Sequence, residues 1–120
     1  MTDRIRFITY LGKTILLVDL SECKPATVEK VMRELPEVVS TQPRGSVLVF
    51  TDFTATTFDA EALRVLKETA VFDKPYVKKA AWIGAESFPQ GFSEELHEFS
   101  RRDFGSFGSR EDALTWLAKD

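Results

Sequence analysis

The sequence predicts an α/β protein with a mixed, mostly parallel sheet of about five strands covered by four helices. An alternating pattern at the start indicates a β-hairpin, and after it short apolar runs alternate with helical patterns. Parallel strands joined by helices need right-handed crossovers, which gives a helix-covered sheet. Residues 1–120 are predicted to form a single domain, because a chain of this length builds one core.

Composition and charge exclude several classes of protein. With 43% hydrophobic residues and ten Phe, the chain is too apolar to be disordered. It has 16 Lys and Arg against 19 Asp and Glu, a net charge of -3, so nucleic acid is not an expected partner. No signal-peptide pattern is present, and no apolar run approaches the roughly 18 residues that cross a bilayer. We therefore expect a cytoplasmic protein without integral membrane association.

The chain begins with two predicted strands and a helix. Residues 4–10 alternate in character, residues 11–13 form a short turn, and residues 14–20 are nearly all apolar. The second strand should therefore lie inside the sheet and the first nearer an edge. Pro25 suits the first position of a helix. The buried face of this helix repeats at helical spacing through Val28, Val31, Met32, Leu35, Val38 and Val39.

Pro36 lies within that helical pattern. Proline removes a backbone hydrogen bond, at a cost of about 3 kcal/mol in a regular helix interior. We therefore expect a kink or a break at this position.

A central strand that leads into a helix organises the rest of the chain. Residues 47–50 form an apolar run typical of a strand covered on both faces. A polar loop, residues 52–57, follows, and Asp59 can cap the next helix, a contribution of about 1 kcal/mol. Phe58 and Leu63 stand at the positions of a hydrophobic staple. Because ligands of α/β proteins bind at the carboxyl ends of parallel strands, this loop is the predicted site.

The second helix, from Asp59 to about Phe72, adds to the predicted site. Leu63, Leu66 and Ala70 give it one buried face, while Val65, Thr69 and Phe72 form a second stripe at the same spacing. Two stripes indicate either wide burial or a contact surface. The predicted partner-binding or ligand-binding residues are Asp52, Thr54, Thr56, Thr57, Asp59, Val65 and Phe72.

Four further elements complete the pattern. Residues 76–85 supply a strand, and Gly84 closes its carboxyl end. A third helix follows, with a buried face formed by Phe92, Leu96 and Phe99. Its early residues are acidic and its late residues, Arg101 and Arg102, are basic, as the helix dipole favours. Residues 104–108 are expected to form a small edge strand, and Ser109 to cap a last helix.

Three segments carry a resemblance that covers nearly the whole chain. They are DKPYVK at residues 73–78, AAWIG at residues 80–84 and FGSREDALTWL at residues 107–117. Together with the order of elements, they resemble bacterial SpoIIAA-like proteins of the STAS superfamily, which is related to the CRAL-TRIO lipid-binding fold. The resemblance implies that fold, and it implies relatives that act as anti-sigma-factor antagonists.

In those antagonists, phosphorylation of a Ser at the start of the second helix acts as a switch. Alignment of residues 63–66 with their helix puts that Ser at about Ala60 or Glu61, where this sequence has no hydroxyl. The resemblance therefore implies a regulatory module that lacks the usual phosphorylatable Ser. Thr54, Thr56 and Thr57 lie upstream and could be modified, although hydroxyls in loops usually serve turns or caps.

Few residues indicate catalysis. Asp19 and Asp52 follow central strands and could converge on a divalent cation, but carboxylates there more often cap a helix or fix a loop. No phosphate-binding loop, nucleophile elbow or dinucleotide motif accompanies them. His97 is expected to be solvated, and Cys23 to be an ordinary loop cysteine that allows no internal disulfide and, with one His, no zinc site. We expect no catalytic residue, no metal and no cofactor.

Two functions stay open after these exclusions. The first is a non-enzymatic regulatory or protein-interaction module that acts on a protein partner or as a homodimer. The alternative is a carrier of a small hydrophobic ligand or lipid, suggested by the ten Phe and by the lipid-binding relatives. A carrier would need a cavity near Phe88, Phe92 and Phe99. A metal-dependent enzyme is the weakest of the three.

Overall fold

The computed structural model describes residues 3–119 and contains a five-stranded sheet with helices on both faces. The strands are β1 (Ile5–Tyr10), β2 (Lys13–Asp19), β3 (Val47–Asp52), β4 (Val77–Ile83) and β5 (Gly105–Phe107). The helices are α1 (Pro25–Val39), α2 (Ala60–Asp73), α3 (Phe92–Ser100) and α4 (Arg110–Ala118). The predicted order of elements is confirmed, and a short 3₁₀ turn at Ala85–Ser87 is added to it. No helix within residues 3–119 is long and apolar enough to cross a membrane.

The strands are arranged in the sheet in their order along the chain. β1 and β2 pair in antiparallel fashion, and β2, β3, β4 and β5 run parallel to one another. β1 therefore lies at the edge and β2 inside, as predicted. The parallel register places Asp19 directly beside Asp52. All the carboxyl ends of the parallel strands meet at one edge of the sheet, which is where the β3–α2 loop begins.

The sheet separates two apolar layers. On one face Val49 packs in a layer with α1, α2 and α3, whereas its neighbour Phe50 packs on the other face with α4. Successive side chains of a strand point to opposite faces, so a strand covered on both sides must be apolar at every position. This explains the uninterrupted apolar run of β3.

Two predicted helix caps are confirmed. The Asp59 carboxylate accepts a hydrogen bond from the Ala62 backbone N–H at 2.8 Å, at the start of α2. The Ser109 hydroxyl oxygen accepts one from the Asp112 N–H at 3.1 Å, at the start of α4. Each cap satisfies a donor that the first turn of a helix otherwise leaves unpaired.

Of the kink or break expected at Pro36, the break is wrong, because α1 continues through this residue to Val39. Proline has no N–H, so the carbonyl of Met32, four residues earlier, lacks its helical donor. The buried hydroxyl of Thr69 on α2 donates to that carbonyl instead, with an oxygen–oxygen distance of 3.1 Å. The neighbouring helix thus compensates for the missing hydrogen bond, which explains how α1 tolerates the proline.

Replacement of Thr69 by Val should lower the free energy of unfolding by about 1–2 kcal/mol, because it leaves the buried Met32 carbonyl without a donor. In a Pro36→Ala background the amide of residue 36 can supply that donor, so Thr69→Val should then cost much less. Urea unfolding of the four proteins of this double-mutant cycle measures the coupling. An equal loss in both backgrounds would show that the hydroxyl does not act through Met32.

The end of α3 differs from the sequence prediction. Phe99 was expected on the buried face, but its side chain is 53% exposed, and Ser100 is buried in its place. The Ser100 hydroxyl donates to the Leu96 carbonyl at 2.7 Å, so this polar residue is satisfied inside the core. The helix ends there, and Arg101 caps it in the left-handed conformation. Arg102 therefore lies beyond the helix instead of in its last turn.

Candidate functional site

The β3–α2 loop is held in place by the neighbouring β2–α1 loop. The Leu20 N–H donates to the Asp52 carbonyl, the Glu22 N–H to the Thr54 carbonyl, and the Thr57 N–H to the Cys23 carbonyl, each at 2.9 Å. The β2–α1 loop donates the first two bonds, and the β3–α2 loop donates the third. Together they hold the predicted loop from Asp52 to Thr57. Its backbone is consequently fixed relative to the sheet.

Two of the predicted site residues face inward and stabilise the loop. The Asp52 carboxylate accepts from the Thr54 N–H at 2.8 Å, and the Thr56 hydroxyl donates to the Leu20 carbonyl at 2.7 Å. Both residues are buried, so they are not part of the accessible surface. Thr54, Thr57 and Asp59 are exposed and form the accessible part of the predicted site.

A glycine on the next strand end packs directly against this loop. Gly84 has φ of +80°, and a Cβ there would lie 2.4 Å from the Thr54 backbone nitrogen and 2.5 Å from the Phe53 carbonyl carbon. The Phe53 N–H also donates to the Ile83 carbonyl at 3.0 Å. The loop is thus bound on one side by the β2–α1 loop and on the other by the end of β4.

Asp19 and Asp52 lie side by side, and both are engaged by protein groups. Asp19 Oδ1 accepts from the Ser21 N–H at 3.0 Å and from its hydroxyl at 2.6 Å. Arg4 lies 3.9 Å from Asp19 Oδ1, and Arg110 lies 3.6 Å from Asp52 Oδ2. Burial alone would raise the pKa of Asp19, but the Ser21 hydrogen bonds and the two arginines outweigh it and lower that pKa. The two carboxylates therefore hold the loops that follow β2 and β3, and they compensate the charges of Arg4 and Arg110.

His97 and Cys23 are the other candidates for chemistry. Among residues 3–119, no group of three or more His, Cys, Asp or Glu is arranged to hold a metal ion. His97 is exposed on α3, and its Nδ1 lies 2.8 Å from the Arg102 carbonyl. Cys23 is buried, and burial raises the pKa of its thiol, which disfavours the reactive thiolate.

The second apolar stripe of α2 is mostly covered. Val65 is only 2% exposed and Thr69 is buried, because α1 packs over this part of α2. Of the two alternatives for this stripe, Val65 and Thr69 fit wide burial, and their side chains are not accessible to a partner. Phe72, at the end of the stripe, is 50% exposed, and its ring stacks on Tyr76 with centroids 6.3 Å apart. The stripe thus contributes one accessible aromatic side chain.

The first turns of α2 carry a network of exposed charges. Arg64 binds Glu61 and Glu68 on its own helix, and Arg33 of α1 lies 3.7 Å from Glu61. The hydrogen bond from Arg64 is the main reason that the pKa of Glu61 is lowered. The network begins in the first turn of α2, directly after the loop that carries the exposed threonines.

Two residues of this site were not predicted as functional. Arg110 reaches Asp52 from the first turn of α4, and its guanidinium lies 5.5 Å from the centre of the Phe50 ring. The sequence holds no local signal for this contact, since the two residues are distant along the chain. Gly84 was predicted only as the end of a strand, although a glycine at a strand end is a known signal of close backbone approach.

The hairpin, the parallel strands in chain order and the covering helices together match a SpoIIAA-like fold. The structure is similar to the crystal structure of an uncharacterized protein from the DUF3478 family with a SpoIIAA-like fold, from Shewanella loihica PV-4. The TM-score is 0.68 at 18% sequence identity, and the match covers 95% of this chain and 92% of that chain. No family model matches the chain, and no curated protein matches it. At this identity the likeness establishes the fold alone.

Proposed function

We propose that this protein is a non-enzymatic regulatory module of the cytoplasm that binds a protein partner, or a second copy of itself, through the β3–α2 loop. The observation that carries the proposal is the rigid display of Thr54, Thr57 and Asp59. Their side chains are exposed, while the backbone between them is fixed by the neighbouring loops. A preorganised surface loses little conformational entropy on binding, which favours recognition.

The position of Thr57 suggests how such a module is regulated. Its exposed hydroxyl lies just before the amino end of α2, where the helix dipole stabilises negative charge. Phosphorylation there would add about 1.5 to 2 negative charges to a contact surface that already carries Asp59 and Glu61. A phosphate would therefore strengthen the attraction of a basic partner to this acidic surface.

The aromatic residues support this proposal over the carrier. Three aromatic rings, those of Phe53, Phe88 and Trp82, pack against one another with centroids 4.7 to 5.7 Å apart. They thereby fill part of the apolar layer between the sheet and helices α1, α2 and α3. The cavity beside them, between the sheet and helices α1, α2 and α3, has a volume of about 40 Å³. Sites for small organic ligands usually measure about 300–1,000 Å³. Phe99, which a carrier pocket would need, lies at the surface.

A site-specific photo-crosslinker tests the proposal. We expect p-benzoylphenylalanine at Thr57 to crosslink in cells to one protein, or to a second copy, and the same group at exposed Thr9 on β1 to give none of that product. Addition of Asp59→Asn, which keeps a helix-capping side chain, should then lower the yield from position 57 about fivefold, because it removes a negative charge from the contact surface.

Two results would overturn the proposal. The first is the same set of products, or no product, from positions 57 and 9. The second is a magnesium-dependent rise in Tm that is lost in Asp52→Asn, which would place the protein among metal-dependent enzymes.

A further inference from the structure

The outer edge of β4 is only partly covered. β5 pairs with β4 from Ala81 to Ile83, so residues 77–80 lie beyond the register of β5. On the other side Val77, Lys79 and Ala80 pair with β3, and Lys78 bulges between them. Among the strands that the structure describes, none pairs with this stretch on the β5 side. Backbone groups along an uncovered strand edge can pair with another extended chain. This edge lies at the opposite end of β4 from the proposed contact loop.

The groove beside this edge is strongly basic. It has a volume of about 280 Å³ and opens to the surface. Its charged lining consists of Lys74, Lys78, Lys79, Arg101, Arg102 and a single acid, Asp103. The whole chain carries a net charge of -3, so this local excess of cations is opposite in sign to the protein. Such a surface selects an acidic partner.

Two of these cations already have partners inside the fold. Lys79 Nζ donates to the carbonyls of Trp116 and Lys119, at 2.9 and 3.0 Å, and so caps the end of α4. The Arg102 guanidinium donates to the Ala70 carbonyl at 3.0 Å and stacks on a neighbouring phenylalanine. These two side chains shape the groove but are not available to a ligand.

The other three cations are available. Lys74, Lys78 and Arg101 are exposed, and no ion pair joins them to any carboxylate within residues 3–119. The one acid of the groove, Asp103, is 97% exposed at its side chain and lies 3.3 Å from the His97 ring instead. Three uncompensated positive charges therefore surround an uncovered strand edge.

Arg101 also occupies a backbone position that favours glycine. Its φ of +58° is in the left-handed region, which costs a residue with a Cβ more than it costs glycine. Arginine at this position gives up some stability and places a cation at the mouth of the groove. Strain at a charged, exposed residue is expected where the side chain serves binding.

We propose that this groove binds an acidic segment of a partner protein, which extends the sheet along the uncovered half of β4. The backbone edge would pair with the main chain of the segment, and the three free cations would pair with its carboxylates. The four uncovered residues offer an edge about 13 Å long, so a segment of roughly four to eight residues fits. This surface is separate from the β3–α2 loop, and either can exist without the other.

Fluorescence anisotropy with a fluorescein-labelled (Glu-Val)₄ peptide tests the proposal. We expect saturable binding at low salt that Lys78→Glu weakens at least about fivefold, because a paired charge is reversed. The matched control is Lys30→Glu on α1, another exposed lysine, which should change the affinity less than about twofold. Loss of affinity in both variants would show a nonspecific effect of net charge and would overturn the proposal.

Arg101→Gly separates binding from folding. Glycine adopts the left-handed conformation without strain, so this variant should keep or raise Tm while it weakens (Glu-Val)₄ binding about fivefold. A (Glu-Pro)₄ peptide of equal charge has half as many backbone donors and should bind several-fold more weakly. The proposal fails if (Glu-Val)₄ does not bind, if (Glu-Pro)₄ binds equally well, or if Arg101→Gly leaves the affinity unchanged.

Discussion

Gly84→Ala should lower the free energy of unfolding by about 3–4 kcal/mol, the sum of a strained backbone and a steric clash. The added Cβ would meet Thr54 N at 2.4 Å and the Phe53 carbonyl carbon at 2.5 Å, both of which are backbone atoms. A side chain could rotate away, but this segment is tied to the β2–α1 loop by three backbone hydrogen bonds. Relief of the clash therefore requires displacement of the whole β3–α2 loop.

Gly12→Ala is the matched control. Gly12 has nearly the same φ, +79°, and a Cβ there meets nothing within 4 Å. Gly12→Ala should lower the free energy of unfolding by about 1 kcal/mol, which is the cost of the left-handed backbone conformation alone. Urea unfolding of both variants separates the cost of the steric clash from the cost of the backbone conformation. If both lose the same amount, the end of β4 does not press against the loop, and the rigidity on which the proposed contact surface depends is absent.

The Gly84 contact also links stability to function. An alanine there should displace Thr54 and Thr57 from their positions, so partner crosslinking from Thr57 should fall even at temperatures where the protein stays folded. Close approach of two backbone segments at the carboxyl edge thus fixes the shape of the surface that a partner meets. The same surface on a mobile loop would lose more entropy on binding.

The features that local patterns determine were predicted correctly. The apolar run of β3, the caps at Asp59 and Ser109, and the hairpin all depend on residues that are neighbours in the chain. Alternation, helical spacing and capping chemistry act over a few residues, so the sequence shows them directly. The order of the elements and the rule for crossovers then lead to the sheet.

The features that were missed depend on contacts between distant residues. Whether Val65 or Phe72 lies at the surface depends on where α1 packs on α2. The Thr69 hydroxyl that compensates for Pro36 in α1 is also on another helix. The basic groove likewise combines Lys78 with Arg101, which the sequence separates by a whole helix. No local pattern encodes such pairs.

Asp73, the last residue of α2, carries a buried carboxyl group with one unpaired oxygen. It is 3% exposed, and its Oδ1 atom has no hydrogen-bond partner. Burial raises its pKa to about 7, although the positive charge of Arg102 acts in the opposite direction. A carboxylate at the carboxyl end of a helix is also opposed by the helix dipole. The fold therefore favours the protonated form of Asp73.

The protein should consequently become less stable as the pH rises from about 4 to 7. In this range the native state holds a proton on Asp73 that the unfolded chain, with a pKa of 3.8, has released. Stability therefore falls by roughly 1.4 kcal/mol per pH unit, and by about 4 kcal/mol in total, after which it levels off above the native pKa. Asp73→Asn cannot titrate, so it should remove this slope and should be more stable than the parent protein at pH 8.

Urea unfolding at several pH values between 4.5 and 8 measures the effect. Glu37→Gln on α1 is the control, because Glu37 is exposed and its removal should leave the slope of the parent protein unchanged. The difference in the free energy of unfolding between Asp73→Asn and the parent should grow by about 3–4 kcal/mol from pH 4.5 to 8. A constant difference would mean that Asp73 is ionised throughout this range, and that Arg102 compensates its charge fully despite the burial.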